Sequence, residues 1–269
     1  MCGRYANSQS AARLSELFEA VDDTGGALAP DYNVAPTDPA PVVRVSRSAA
    51  ARVVQVARWG LLPTWAKDAR GAARMINARA ETVATSKAFA PSFARRRCLV
   101  PVDGWYEWSR LDSGARQAYF ITGSAGTGSA GTDSAGPGSA GTGSGGTELG
   151  GSGVLGLAGL WSSWGTGDQR RLTFSVVTVP AVGQLREIHD RMPLILAPSC
   201  WSDWLEAGDG DPPEHLLAPP SVDQLDTLEL RPVGSAVGDV RNDGPHLTDR
   251  VTSGSAQRLA DDAGNFMLF

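Results

Sequence analysis

Apolar positions along most of this chain fall into short runs separated by Gly, Pro or Asp. PVVRV, RVVQVARWG, RCLVPVDGWYEW, QAYFIT, VLGLAGLW, LTFSVVTV and MPLIL are rich in β-branched and aromatic residues, and their lengths and bounding residues predict β-strands. Helical spacing is briefer. In SQSAARLSELFEA, Leu14, Leu17 and Phe18 share one face of a helix, with Ser8 as its N-cap. ETVATSKAF, PSFARRR and CWSDWLEA predict further short helices. DYNVAP reads as a turn, because the residue before a proline is pushed toward extended geometry. The pattern predicts an α+β chain, with a curved, mostly antiparallel and barrel-like sheet flanked by short helices.

Residues 123–153 break the pattern. GSAGTGSAGTDSAGPGSAGTGSGGTELGGSG is an imperfect Gly/Ser/Ala/Thr repeat with too few apolar side chains to offset the entropy of ordering it. It is expected to be a flexible insertion in a single domain spanning 1–269, placed between two strands that a short hairpin could join. A linker between two domains is the alternative. Long insertions cost little, since loop-closure entropy grows only logarithmically with length.

The chain has 269 residues, 42% of them hydrophobic, which is enough for one full core. MCGRYANSQS lacks the apolar centre of a signal peptide, and no apolar run approaches the roughly 18 residues of a membrane span. A cytoplasmic protein with no membrane partner is expected. Cys2, Cys98 and Cys200 are too few and too widely spaced for a disulfide framework. No Cys-x-x-Cys or His-x-x-x-His pair suggests a metal, and no cofactor is called for. Cys98, in RRRCLVPV, reads as a small core residue. The net charge is −5, but residues 1–121 carry an excess of five positive charges and residues 122–269 an excess of ten negative ones. That asymmetry predicts a basic face on an acidic protein. Lys67 and Lys87 are the only lysines; arginine's planar fork suits phosphate, although a GC-rich genome gives the same bias.

Candidate chemistry begins at the second residue of MCGRYA. Aminopeptidases remove Met1 when a small side chain follows, which would leave Cys2 with a free α-amine beside its thiol. Such a 1,2-aminothiol condenses with an aldehyde and closes a five-membered thiazolidine. Reference pKa values of about 7.7–8.0 for the amine and about 8.5 for the thiol keep neutral and ionised forms in exchange near pH 7. In RMINARAET, an extended backbone puts Asn77 and Arg79 on one face, suited to orienting an amine and binding a phosphate. In VDGWYEW, Glu107 lies between Tyr106 and Trp108, where desolvation raises a carboxyl pKa toward neutrality. In IHDRMPLIL, His189 precedes a buried strand, and imidazole moves protons between pH 5 and 8. His215 and His246 sit among Pro and Gly and read as surface residues. Each stretch also has an ordinary structural reading: a frayed terminus, a surface turn, an outward glutamate on an amphipathic strand.

Taken together, MCGRYA, YNVAPT, WGLLPTWAK, INARAET, VDGWYEW, IHDRMPLIL and VGDVRNDGP resemble the SRAP family, the SOS-response-associated peptidase-like proteins. They follow the family's order over nearly the whole chain apart from 123–153. The resemblance implies a sensor of abasic sites in single-stranded DNA that crosslinks to them through its N-terminal cysteine. It implies Cys2 as nucleophile, with Asn77, Glu107 and His189 completing the site. Arg4, Pro36, Trp65, Arg79 and Ser86 fall where the family contacts DNA. The expected partner is abasic single-stranded DNA, with single/double-strand junctions an open alternative, and the expected state is a monomer. Ala66 stands where a second tryptophan often follows in the family, which implies a smaller wedge at a junction.

Three other classes compete. Class II glutamine amidotransferases also mature to Cys-Gly, but their early glutamine-binding motifs are absent. A Cys-His-Asn thiol peptidase could recruit Cys2, His189 and Asn77, though the chain order and local signature differ from papain-like enzymes. Autocatalytic removal of Met1, as in a thiol autopeptidase, stays open beside cleavage by an aminopeptidase. A non-covalent single-stranded DNA-binding module leaves the terminal cysteine without a purpose.

Overall fold

The computed structural model describes residues 2–111, 114–123, 149–150, 152–167, 170–207 and 211–251. The N-terminal half runs through β1 (Tyr5–Asn7), α1 (Ala11–Phe18), β2 (Val21–Asp22), β3 (Asp31–Val34), β4 (Pro39–Ser46), β5 (Ala51–Trp59), β6 (Asn77–Arg79), α2 (Ala80–Val83) and α3 (Ala90–Arg95). There follow β7 (Arg97–Val102), β8 (Gly104–Arg110), β9 (Arg116–Gly123), β10 (Leu155–Trp164), β11 (Arg171–Pro180), β12 (Arg191–Pro193), β13 (Ile195–Leu196), α4 (Trp201–Glu206), α5 (Val222–Leu225) and β14 (Leu228–Val233).

Two sheets result. One has the order β14-β9-β8-β1-β3; the larger runs β12-β11-β10-β7-β4-β5-β2, with β13 on β10 and β6 on β11. A parallel pairing of β5 with β11, Arg58 opposite Thr173 and Trp59 opposite Phe174, closes the larger sheet on itself. The strands β11, β10, β7, β4 and β5 thus form a barrel, so the curved, mostly antiparallel α+β architecture stands. Trp59, Cys98, Leu157, Phe174 and Val176 share one face of the closed sheet and are buried, while Val43, Val54 and Leu99 are buried on its other face. Trp204 of α4 donates its indole N–H to the Cys98 carbonyl at 2.9 Å.

The run RCLVPVDGWYEW is two strands, because the chain changes sheet at Asp103. A Cβ at Gly104 would overlap the Ile121 carbonyl and the Phe120 ring, so only glycine lets β8 close on β9 there. Asp103 also fixes the N-terminal segment, accepting from Ser8 N and Gln9 Nε2 at 2.6 Å each. Ser8 is therefore not the cap of α1. That role falls to Ser10, whose hydroxyl accepts from Arg13 N at 3.2 Å.

Three further expectations change. DYNV is a strand, because extended geometry before Pro36 allows it to pair with β1; the turn comes at residues 35–38. The helix expected over ETVATSKAF stops at Val83, and MPLIL divides into β12 and β13 around Leu194. QAYFIT and VLGLAGLW do not form a hairpin: β9 pairs with β8 and β14, whereas β10 pairs with β7, β11 and β13. Of the insertion, residues 124–148 and 151 lie outside the described residues. Its two ends meet, since a Cβ on Gly123 would press on Gly150, and Leu149 is buried in the core.

Candidate active site

The N-terminal segment is held as a strand between β3 and β8. Tyr5 lies opposite Trp105, Ala6 opposite Gly104, and Tyr106 N donates to the Arg4 carbonyl at 2.9 Å. This antiparallel register brings Glu107 alongside the residues just before Arg4. Cys2 is fully buried there. Burial, and then the Glu107 charge, push its thiol well above the ordinary thiol range, while the terminal ammonium and the Arg4 backbone oppose. The sulfur rests protonated.

Asn77 arrives from the other side. Strand β6 runs parallel to β11 with Asn77 opposite Val176, and the neighbouring Ile76 carbonyl accepts from both Trp59 Nε1 and Val176 N at 2.9 Å. So positioned, Asn77 Nδ2 donates to the Cys2 carbonyl at 2.7 Å. The contact is to the carbonyl, where the sequence suggested the amine. Asn77 Oδ1 is buried and has no hydrogen-bond partner among the described residues.

Glu107 is only 5% exposed between Tyr106 and Trp108. Its carboxyl is pushed up to about 7, chiefly by burial, with the terminal ammonium opposing and Asp190 adding to the rise. A group half-protonated at neutral pH both gives and takes protons. His189 follows the tight turn Gly183–Glu187 and carries two contacts on one nitrogen. Its Nδ1 accepts from Arg191 N at 3.0 Å and lies 2.7 Å from Asp190 Oδ1. The first contact needs a lone pair and the second a proton. Burial and the terminal ammonium hold the imidazole below its ordinary pKa, against Asp190, so the neutral ring with its proton on Nε2 is favoured.

Cys2 is thus joined to Asn77 by a hydrogen bond and to Glu107 by charge, while Glu107 and His189 both feel the terminal ammonium and Asp190. Arg79 lies two residues beyond Asn77 on β6, paired through its backbone with Thr178, its exposed side chain near the opposite charge of Glu81. Trp65 is 65% exposed on a turn held by the Trp164 Nε1 bond to the Ala66 carbonyl at 2.7 Å. Pro36 and Ser86 are half-buried on separate loops. Arg4 differs from the other residues expected to meet DNA. It is half-buried and donates to Asn33 Oδ1 at 2.7 Å and the Val237 carbonyl at 2.8 Å. Asn33 in turn donates to the Asp239 and Asn242 carbonyls, which ties YNVAPT to VGDVRNDGP.

Asn33 and one other positioning residue were not singled out from the sequence. Arg191 makes a two-pronged ion pair with Glu81 at 2.9 and 3.0 Å and donates to the Thr178 carbonyl at 2.6 Å, fixing the His189 loop against α2 and β11. Glu81 is held below the ordinary carboxylate range by that bond. The available signal was opposite charge in two of the marked stretches, INARAET and IHDRMPLIL. Among the described residues no group of three or more His, Cys, Asp or Glu side chains could hold a metal, and no helix is long and apolar enough to cross a membrane.

The chain is 30% identical to the abasic site processing protein YoqW of Bacillus subtilis over 254 residues, which cover 93% of this chain and 99% of that one. It is 30% identical to the abasic site processing protein HMCES of Rattus norvegicus, covering 86% of this chain and 70% of the relative. The fold matches a crystal structure of a protein from Bacteroides thetaiotaomicron with a TM-score of 0.72 at 21% identity, over 93% of this chain and 100% of that one. The profile of one family, described as SOS response associated peptidase (SRAP), matches residues 1–240, and the chain belongs to that family.

Proposed function

We propose that this protein processes abasic sites by forming a covalent crosslink through Cys2 once Met1 has been removed. The observation that carries the reading is the Cys2 environment: a buried residue gripped through its carbonyl by Asn77, next to a carboxyl tuned to about 7. The names of the relatives, abasic site processing proteins, support the substrate class.

The chemistry follows from the groups present. The Cys2 amine adds to the aldehyde carbon of the ring-opened deoxyribose, and a proton on the departing hydroxyl releases one water to leave a Schiff base. Glu107, protonated in half the molecules near pH 7, supplies that proton. The thiol then adds across the C=N bond, its sulfur to carbon and its hydrogen to nitrogen, and the thiazolidine closes. A raised thiol pKa orders these steps: the sulfur stays protonated until the iminium charge forms beside it and Glu107 can take the proton. The same feature argues against a thiol peptidase, which requires a depressed thiol pKa. His189 is the second proton carrier, and its neutral ring can act as a base. Trp65 and Arg79 suit single-stranded DNA, through base stacking and phosphate binding.

The test is crosslinking to an abasic oligonucleotide. Cys2→Ala abolishes the heat-stable product, whereas Cys98→Ala and Cys200→Ala retain it, apart from losses of stability at buried Cys98. A product of undiminished intensity from Cys2→Ala would refute the aminothiol route.

A further inference from the structure

An open cleft of about 1220 Å³, none of whose lining residues belongs to the Cys2 site, lies at the ends of β4, β7, β10 and β11. It is lined by six arginines, Arg44, Arg47, Arg95, Arg96, Arg97 and Arg170, against two acids, Asp23 and Glu206. This is a concentration of positive charge on a chain whose net charge is −5. Asp23 attracts Arg44 more than Arg170 repels it, but two acids leave the six arginines in excess. Glu206 is bound by Arg52 through Nε at 3.0 Å and an NH2 at 2.6 Å, and Asp23 accepts from Gln55 Nε2.

The arginines divide by what holds them. Arg97 is structural: buried, it donates to the carbonyls of Trp204, Phe93 and Ala207 and ties α3, β7 and α4 together. Arg44 is preorganised, its guanidinium 4.7 Å from the centre of the Trp161 ring while Nε donates to Gln55 at 2.7 Å. Arg170 is braced by Ser163 at 2.7 Å. Arg95 and Arg96 stand side by side at the end of α3, with Arg96 Nε buried and without a hydrogen-bond partner among the described residues. Desolvation and then mutual repulsion lower the pKa of Arg96 beside Arg95. Arg44, lowered chiefly by burial, is also repelled by Arg170. Crowded like charges destabilise a fold unless an anion sits among them.

We infer that this cleft binds the phosphodiester backbone of single-stranded DNA at a place separate from the Cys2 site. The inference rests on the reading that the protein handles DNA. A cleft this wide exceeds the roughly 300–1,000 Å³ of small-molecule pockets, and arginine forks match phosphate oxygens in pairs. Along β5, Gln55 at the cleft and Trp59, whose indole N–H donates to the Ile76 carbonyl beside Asn77, are about 13 Å apart at ~3.3 Å per residue, so a strand must extend several nucleotides beyond the lesion to engage both places. Short abasic strands reach Cys2 alone.

The experiment measures binding of a long, undamaged oligothymidylate to Cys2→Ala protein across a salt series, so covalent chemistry plays no part. Each phosphate that a protein neutralises on a single strand adds ~0.7 to the slope of log affinity against log salt. Arg95→Ala/Arg96→Ala together therefore reduce that slope by about 1.4. Arg170→Gln, at an exposed position, reduces it by about 0.7 and serves as the second variant if the pair disturbs α3. With Cys2 restored, both variants crosslink a short abasic oligonucleotide at the unmodified rate, which shows the fold intact. Failure of the unmodified protein to crosslink would refute the Cys2 reading alone, since oligothymidylate binding still reports on the cleft. Unchanged slopes in both variants would overturn the inference. So would thymidine triphosphate that binds the unmodified protein and loses affinity in the variants while the oligonucleotide slope does not move, because the cleft would then take free nucleotide.

Discussion

Around Cys2 the titratable groups are few and individually tuned, whereas the cleft gathers six arginines, several of them open to water and some repelling one another. Burial dominates at the first of these. It raises the Cys2 thiol and the Glu107 carboxyl and depresses the His189 imidazole, so the three groups hold their protons or stay neutral around pH 7. In the cleft, burial also lowers Arg44 and Arg96, but a guanidinium stays charged throughout the working range and acts through number and position. The contrast separates bond-making from strand-holding: proton transfer needs a group poised near the ambient pH, and phosphate capture needs permanent charge.

The largest effects that would break this comparison lie in the rates. Glu107→Gln and His189→Ala should each slow crosslink formation by about 10²–10⁴-fold, the usual contribution of a positioned acid or base. Ring opening retraces the forward path, so Glu107→Gln should also slow release of a preformed crosslink. Rates for both variants that match the unmodified protein from pH 5 to 8 would leave Cys2 and Asn77 as the whole site.

Next comes stability. The folded Glu107 pKa of about 7 lies above the ordinary 4.5 of an unfolded chain, so between those values the folded state binds more protons. Stability from this group is complete below about pH 4.5 and declines as pH rises to about 7, by at most about 3 kcal/mol. Glu107→Gln should flatten that decline in denaturant titrations at pH 5 and 8; an unchanged difference would mean the carboxylate is not buried in solution. Leu149→Ala should cost about 2–5 kcal/mol as a buried residue, which would place the true end of the insertion before it. Arg79→Ala should lower the salt slope of DNA binding by about 0.7, the share of one phosphate. The smallest effect is expected from replacing residues 124–148 with a short Gly-containing turn, since the flanking Gly123 and Gly150 already touch. Folding and crosslinking should both persist.

How far the sequence reveals this molecule depends on whether a signal is local. Cys98 and the barrel strands were legible because β-branched runs bounded by Gly or Pro announce buried strands in place. Glu107 was legible because its aromatic neighbours adjoin it in sequence. Closure of the barrel was not: Trp59 pairs with Phe174 across more than a hundred positions, and no local pattern encodes that partner. Neither was the division of labour among the arginines. RRR at 95–97 reads as one charged run, yet Arg97 is buried on three carbonyls while Arg95 faces solvent. Arg4 gives the same lesson, as its Asn33 and Val237 contacts come from distant segments. The site residues themselves were marked by composition and by resemblance; Asn77 shows what resemblance leaves out, since its grip on the Cys2 carbonyl depends on a strand pairing a hundred residues away.

The most direct test of the central claim is the intact mass of the purified protein with and without an abasic single-stranded oligonucleotide. The expected result is a chain lacking Met1 and, after incubation, a species heavier by the oligonucleotide minus one water, absent with Cys2→Ala or with an uncleaved tag before Cys2. A covalent species of equal abundance from Cys2→Ala, or from a chain that keeps Met1, would contradict it.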